Sequence, residues 1–189
     1  SMVASAMVTA TLGASSSRAT ITIVASIGHL VINEVDYDQG ANPVSVEFVE
    51  LYNPATQPID LTNLALVLVN GSSSPAPEYR RVALASAGSL PAGGYLVIGA
   101  AAVTPMGAGL KLTPPTGTWP ATDAVQNGAP DCIVLIDVST TTVLDSLGYE
   151  GTIGAATVTG FPGTVSLDST ALADDPAMVM AIFCLASSL

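Results

Sequence analysis

Positive charge is what this sequence has least of. Lysine and arginine number 4 against 15 aspartates and glutamates, a formal net charge of −11. A surface this acidic repels phosphate backbones and anionic headgroups, so direct binding to nucleic acid or anionic lipid is not expected. The four cations, Arg18, Arg80, Arg81 and Lys111, form no patch beyond one Arg-Arg pair. Histidine occurs once, at His29, between Gly28 and a strand-like run. A lone histidine there reads as a surface or satisfied core residue, not as a catalytic base. The chain lacks G-x-S-x-G, H-E-x-x-H, C-x-x-C and G-x-x-x-x-G-K, so the common hydrolase, metal and phosphate signatures are missing. No run of about 18 apolar residues escapes interruption by Gly, Ser, Thr or a charge, so no membrane span is expected. Apolar residues at i, i+3, i+4, i+7 spacing are also missing over any three turns, which argues against long helices.

What remains is oily and finely punctuated. The chain is 49% hydrophobic and only 10% charged, the opposite of a disordered composition. Its 189 residues suit one domain with a sizeable core. Val, Ile, Leu and Thr dominate, broken by 17 glycines and 13 prolines, as in many short strands joined by turns. An acidic, lysine-poor β-protein rich in Ser, Thr and Gly reads as exported, extracellular or on the cell surface.

The central stretch is 47–54 (EFVELYNP). Strand alternation puts Phe48, Glu50 and Tyr52 on one side and Glu47, Val49, Leu51 and Asn53 on the other. Asn53-Pro54 then ends the strand, since proline brings no N–H to a ladder. Residues 30–37 (LVINEVDY) form the preceding strand, with Val31, Asn33, Val35 and Tyr37 expected on the core side. Further strands are expected at 61–69, 79–84 and 95–100, and a hairpin at 131–138 and 143–149. The last candidates are 164–167 and 178–185. Residues 101–123 show no period; Trp119, inside that stretch, is expected to cover one end of the core. Ser1-Met2 reads as a scar of tag cleavage and 3–17 as a linker or frayed end, while 19–26 (ATITIVAS) is an extra-strand candidate. The organisation expected is therefore 1–29 as scar, linker and possible extra strand, and 30–189 as one all-β domain.

An ordered series of segments resembles a known family. The runs 32–35 (INEV), 47–54 (EFVELYNP), 59–61 (IDL), 64–66 (LAL) and 90–98 (LPAGGYLVI) are similar to the lamin tail domain in its bacterial form. The likeness continues through 127–135 (NGAPDCIVL), 145–151 (DSLGYEG), 165–167 (VSL) and Phe183. The resemblance implies an immunoglobulin-like β-sandwich, with no catalysis of its own, in secreted or surface proteins and often beside nucleases or other hydrolases.

Several residues stand out against that background. Cys132 and Cys184 fall in separate predicted strands, and a cysteine pair in an exported β-domain suggests a disulfide. It would close a loop of about 50 residues, for which chain entropy gives roughly 4 kcal/mol; two buried thiols are the alternative. Glu47 and Glu50 point to opposite faces and cannot share one bond, whereas Glu34 and Glu50 can approach across strands. Asp36 with Asp38, and Asp168 with Asp174 and Asp175, are loop acids that calcium could use, but neither group has a D-x-D-x-D ladder. Catalytic and cofactor residues are expected to be none. The function expected is a noncatalytic extracytoplasmic structural or interaction module presenting loops to a protein or cell-surface partner. The alternatives are an accessory targeting domain of a secreted nuclease- or phosphatase-type hydrolase, and a hydrolase using Glu34 or Glu50.

Overall fold

The computed structural model describes residues 28–37, 46–128 and 130–167 in full. It gives backbone alone for the strands at 4–12, 15–23, 171–172 and 182–183. Two sheets dominate. The five-stranded sheet contains β3 (Val31–Asp36), β4 (Phe48–Tyr52), β9 (Tyr95–Gly99), β10 (Leu110–Leu112) and β16 (Ile182–Phe183), in the order β10-β9-β4-β3-β16. The seven-stranded sheet contains β6 (Leu64–Asn70), β7 (Ala76–Ala83), β11 (Asp131–Asp137), β12 (Thr142–Tyr149), β13 (Ala155–Thr157), β14 (Val165–Ser166) and β15 (Ala171–Leu172). Its order is β14-β13-β7-β6-β11-β12-β15. β5 (Ile59–Asp60) and β8 (Ser89–Leu90) make a small separate ladder. The fold is all-β, as the residue pattern implied, and an immunoglobulin-like sandwich, as the resemblance implied; the expected hairpin is β11 against β12.

The main core lies between the sheets. Val49 and Leu51 of β4 and Leu96 and Ile98 of β9 meet Leu66 and Leu68 of β6 and Ile133 and Leu135 of β11. Each such side chain, fully removed from water, contributes on the order of 2 kcal/mol. Trp119 joins this core at 2% exposure, so the aperiodic stretch does cover it. A second core occupies the other face of the seven-stranded sheet. Ala65, Val67 and Val69 of β6 and Cys132, Val134 and Ile136 of β11 pack there under Ile153, Ala156, Val158 and Leu167. Covering on both faces is why LALVLV and CIVLI are continuous apolar runs and do not alternate.

Two expectations need correcting. In β3 the core side is not one parity throughout. Leu30, Ile32, Val35 and Tyr37 all enter the main core. The register with β4 shifts between Ile32 and Glu34, so Asn33 is the extra residue of a β-bulge. A bulge moves every later side chain to the opposite face. Asn33 and Val31 are thereby excluded from the main core, although Val31 is still only 4% exposed. Near the start of the chain, β1 (Ala4–Leu12) pairs antiparallel with β2 (Ser15–Ile23), from Ala4↔Ile23 to Leu12↔Ser15. Alternating Val, Thr and Ile favour that extended pairing. β6 also starts later than expected, at Leu64. Asp60 Oδ1 accepts the Thr62 N–H at 2.9 Å and Leu61 O accepts the Leu64 N–H at 3.0 Å, a turn before the strand.

Candidate interaction surface

β4 runs through the middle of the five-stranded sheet and carries a polar anchor at each end. Glu47 and Asn53, on its core-facing parity, are 7% and 0% exposed. Glu47 Oε2 accepts the N–H groups of Ala124 (2.6 Å) and Val125 (3.1 Å), tying the strand to the segment after Trp119. Asn53 Nδ2 donates to the carbonyls of Gln57, Leu90 and Pro91, and its Oδ1 accepts the Ala55 N–H. Buried polar groups must be paired in this way, so both residues serve the architecture.

The opposite parity of β4 faces outward. Glu34 and Glu50 are register partners across β3 and β4, as their approach across strands required. Asn33 Nδ2 donates to Glu50 Oε1 at 2.8 Å. Partial burial, then the charges of Glu50 and Asp36, hold the Glu34 carboxyl above its ordinary range. Beside them Tyr52 and Tyr95 lie with ring centroids 4.7 Å apart. Tyr95 is 42% exposed, Leu110 at the start of β10 is 38% exposed, and Met106 between them in sequence is 95% exposed. Gly107 supports that loop with φ of +65°, which L side chains rarely adopt. Lys111 Nζ ties its flank to the carbonyls of Ala101 and Val103. These exposed apolar side chains lie at the β9–β10 end of the sheet, with Tyr95 on the outward face of Tyr52 and Leu110 on the face of Leu96.

A third polar cluster closes one end of the sandwich. Tyr37 donates to Glu150 Oε1 at 2.6 Å and its ring lies 4.4 Å from that of Tyr149. Tyr149 donates to the Gln126 carbonyl and Tyr79 Oη accepts the Gln126 N–H. Burial pushes both the Tyr79 and the Tyr149 phenol up. Next to them Asp131, 1% exposed, accepts N–H groups from Gly71 and Gly128. Burial raises its carboxyl to about 6; the two N–H groups oppose that rise and the charge of Asp123 adds to it. Between the ordinary value of 3.8 and about 6, the folded state holds a proton that the unfolded chain has released. Stability from this group therefore falls as pH rises through that window and is greatest on its acid side. After discounting for solvent screening the change is about 1–2 kcal/mol. Melting temperatures from pH 4 to 7 should show this slope in the native chain and a flatter one in Asp131→Asn; parallel profiles would contradict it.

Other singled-out residues are placed more simply. His29 is half-buried, its Nδ1 2.8 Å from the Leu30 carbonyl. Cys132 is buried in the second core; Cys184, its expected disulfide partner, lies outside the described residues. So do Asp38, Asp168, Asp174 and Asp175, the calcium candidates. Among the described residues no three of His, Cys, Asp and Glu converge as metal ligands, and no helix is long and apolar enough to cross a membrane. Sequence reasoning passed over Asp131 and the edge formed by Tyr95, Met106 and Leu110. Burial of an Asp next to an Asn-Gly turn has no signature of its own, whereas Pro105-Met106-Gly107, a methionine between turn residues, was a readable sign of an exposed tip.

The profile of one family, described as Lamin Tail Domain, matches residues 24–151. Comparison with curated proteins gives no match.

Proposed function

The chain belongs to the lamin tail domain family, and from that premise we propose that it is a noncatalytic, exported interaction module. It would engage a protein or cell-surface partner through the edge formed by Tyr95, Met106 and Leu110. The observation that supports this reading is the exposure of Met106, an apolar side chain 95% in water at the tip of a loop held by Lys111. Isolated exposed apolar residues are ordinary, but Met106 with Tyr95 and Leu110 on the two faces of the same sheet edge offers a rim for a partner to clasp. The acidic balance of the chain supports export and argues for a partner that is not strongly anionic. Immobilised protein should retain a partner from the cell-surface fraction of its source. The double variant Met106→Glu/Leu110→Glu should weaken that retention by about tenfold or more with the melting temperature unchanged, as loss of a central apolar contact does. Equal retention by both proteins would sink the assignment of this edge.

A further inference from the structure

The seven-stranded sheet has a gap in its middle. β7 pairs along its length with β6, from Ala65↔Ala83 to Val69↔Glu78. On its other side β13 pairs only with Ala76 and Pro77. The chain then peels away, and the Glu78–Arg81 ion pair holds it as it leaves. Glu78 accepts the Thr159 N–H, and the Arg81 guanidinium donates to the Thr159 carbonyl. Beyond that point β7 is an edge strand among the described residues.

The direction of its free groups follows from the ladder. The Leu84 N–H donates to Leu64 O, which makes that position a hydrogen-bonded pair. Antiparallel pairs alternate, so Val82 bonds back to β6 while Ala83 and Arg81 turn their N–H and C=O groups outward. The other side of β6 agrees: the Val138 N–H donates to Asn63 O, placing Ala65 and Val67 in the ladder with β11. The outward groups border a groove of about 370 Å³ lined by Val82, Ala83, Leu112, Pro114 and Pro115. Arginine on an edge strand often serves only to repel unwanted strands. Here both arginines are tied elsewhere: Arg81 to Glu78 and Thr159, Arg80 to the Thr118 carbonyl at 2.6 Å. The Arg80 Nε is buried and has no hydrogen-bond partner.

We propose that Arg81–Ala83 of β7 and the adjoining groove bind an extended, acidic peptide segment of a partner protein as an added strand. This goes beyond the apolar edge of the other sheet and does not depend on it. The chain already demonstrates the mode, since β13 adds itself in parallel to the first two residues of the same edge. Main-chain pairing would supply affinity and the groove would take apolar side chains on alternate positions. Charge selects the acid. Two of the chain's four lysines and arginines sit on this strand against one glutamate, in a molecule of net charge −11. The overall field attracts basic peptides everywhere, so a preference for an acidic one has only a local origin.

The test uses three short peptides that alternate valine with glutamate, with lysine or with serine. The glutamate peptide should bind the native chain about tenfold more tightly than the lysine peptide at physiological salt. It should also shift the backbone amide resonances of Arg81 and Ala83. Ala83→Pro removes an outward N–H without touching the β6 ladder and should abolish that binding. Arg81→Gln keeps a donor for Thr159 but loses the charge, and should bring the three peptides to similar affinity. Tighter binding of the lysine peptide, unchanged in Ala83→Pro, would mean the general field alone and would overturn the proposal. Concentration-dependent dimerisation lost in Ala83→Pro would assign the edge to a second copy and overturn the acidic partner.

Discussion

Asn53→Asp is expected to destabilise the protein more than Asn53→Ala does, although aspartate is nearly the same shape. Three carbonyl oxygens, of Gln57, Leu90 and Pro91, lie 2.9–3.0 Å from Nδ2. They belong to the turn after β4, to the end of β8 and to the turn before β9. Two further main-chain bonds, Asn53 N–H to Gly94 O and Gly93 N–H to Asn53 O, make this the knot where both turns meet. Alanine leaves those acceptors and the Ala55 N–H short of partners, a cost of about 2–4 kcal/mol. Aspartate does worse. It sets a desolvated, acceptor-only oxygen against three others, at a cost of about 4 kcal/mol or more. That is a large share of the roughly 5–15 kcal/mol that holds such a domain together. The defect should also ease with acid. A carboxyl that avoids ionising in the fold has its folded pKa raised, so stability returns as pH falls and the group regains a proton to donate. Urea melts at neutral and acid pH decide the matter; equal stability of the two variants at pH 7 would show that the two amide N–H groups do not hold the three carbonyls.

Glu47→Ala should produce the second largest loss, and it should be visible at Trp119. The carboxylate holds two buried N–H groups, those of Ala124 and Val125, and neither is replaced when the side chain is cut back. About 2–4 kcal/mol is at stake. The same bonds hold the segment 119–125 against β4, so their loss should let water reach the indole. Trp119 is the chain's single tryptophan and is 2% exposed, which makes its emission an unambiguous reporter. A red shift in the native state of Glu47→Ala, partly reversed in Glu47→Gln, is the expected result. The glutamine carbonyl can occupy the place of Oε2 and accept both N–H groups. Unchanged emission in the alanine variant would mean that the segment is held by its apolar contacts alone.

Much of this architecture could be read from residue order because the strands obey simple rules. Alternation in 47–54 grouped Glu47, Val49, Leu51 and Asn53 on one side without saying which side faced in, and that is the side the structure buries. The runs LALVLV and CIVLI revealed strands but not their second covering, because burial on two faces needs a distant segment, 153–167, to fold back over them. Asn33 hid a change of phase. Its signal was present in the polar pair Asn33-Glu34, which breaks a two-residue period that resumes at Val35. The short strand β10 was illegible because Pro and Gly surround it and its three residues are held by parallel pairing to β9. At the surface the rules give out sooner. The free side of β7 depends on where β13 stops, which no residue of β7 announces.

The covering of β6 and β11 also sets how much chain makes a complete body. The main core draws its last side chain from Tyr149, yet without the chain beyond it Val67, Val134 and Ile136 would look out on solvent. The smallest self-sufficient fragment therefore extends at least to Leu167, whose side chain helps to roof that face. Anyone trimming the gene at the last long strand would be preparing a sticky half-product, greasy on the side that nature keeps dry.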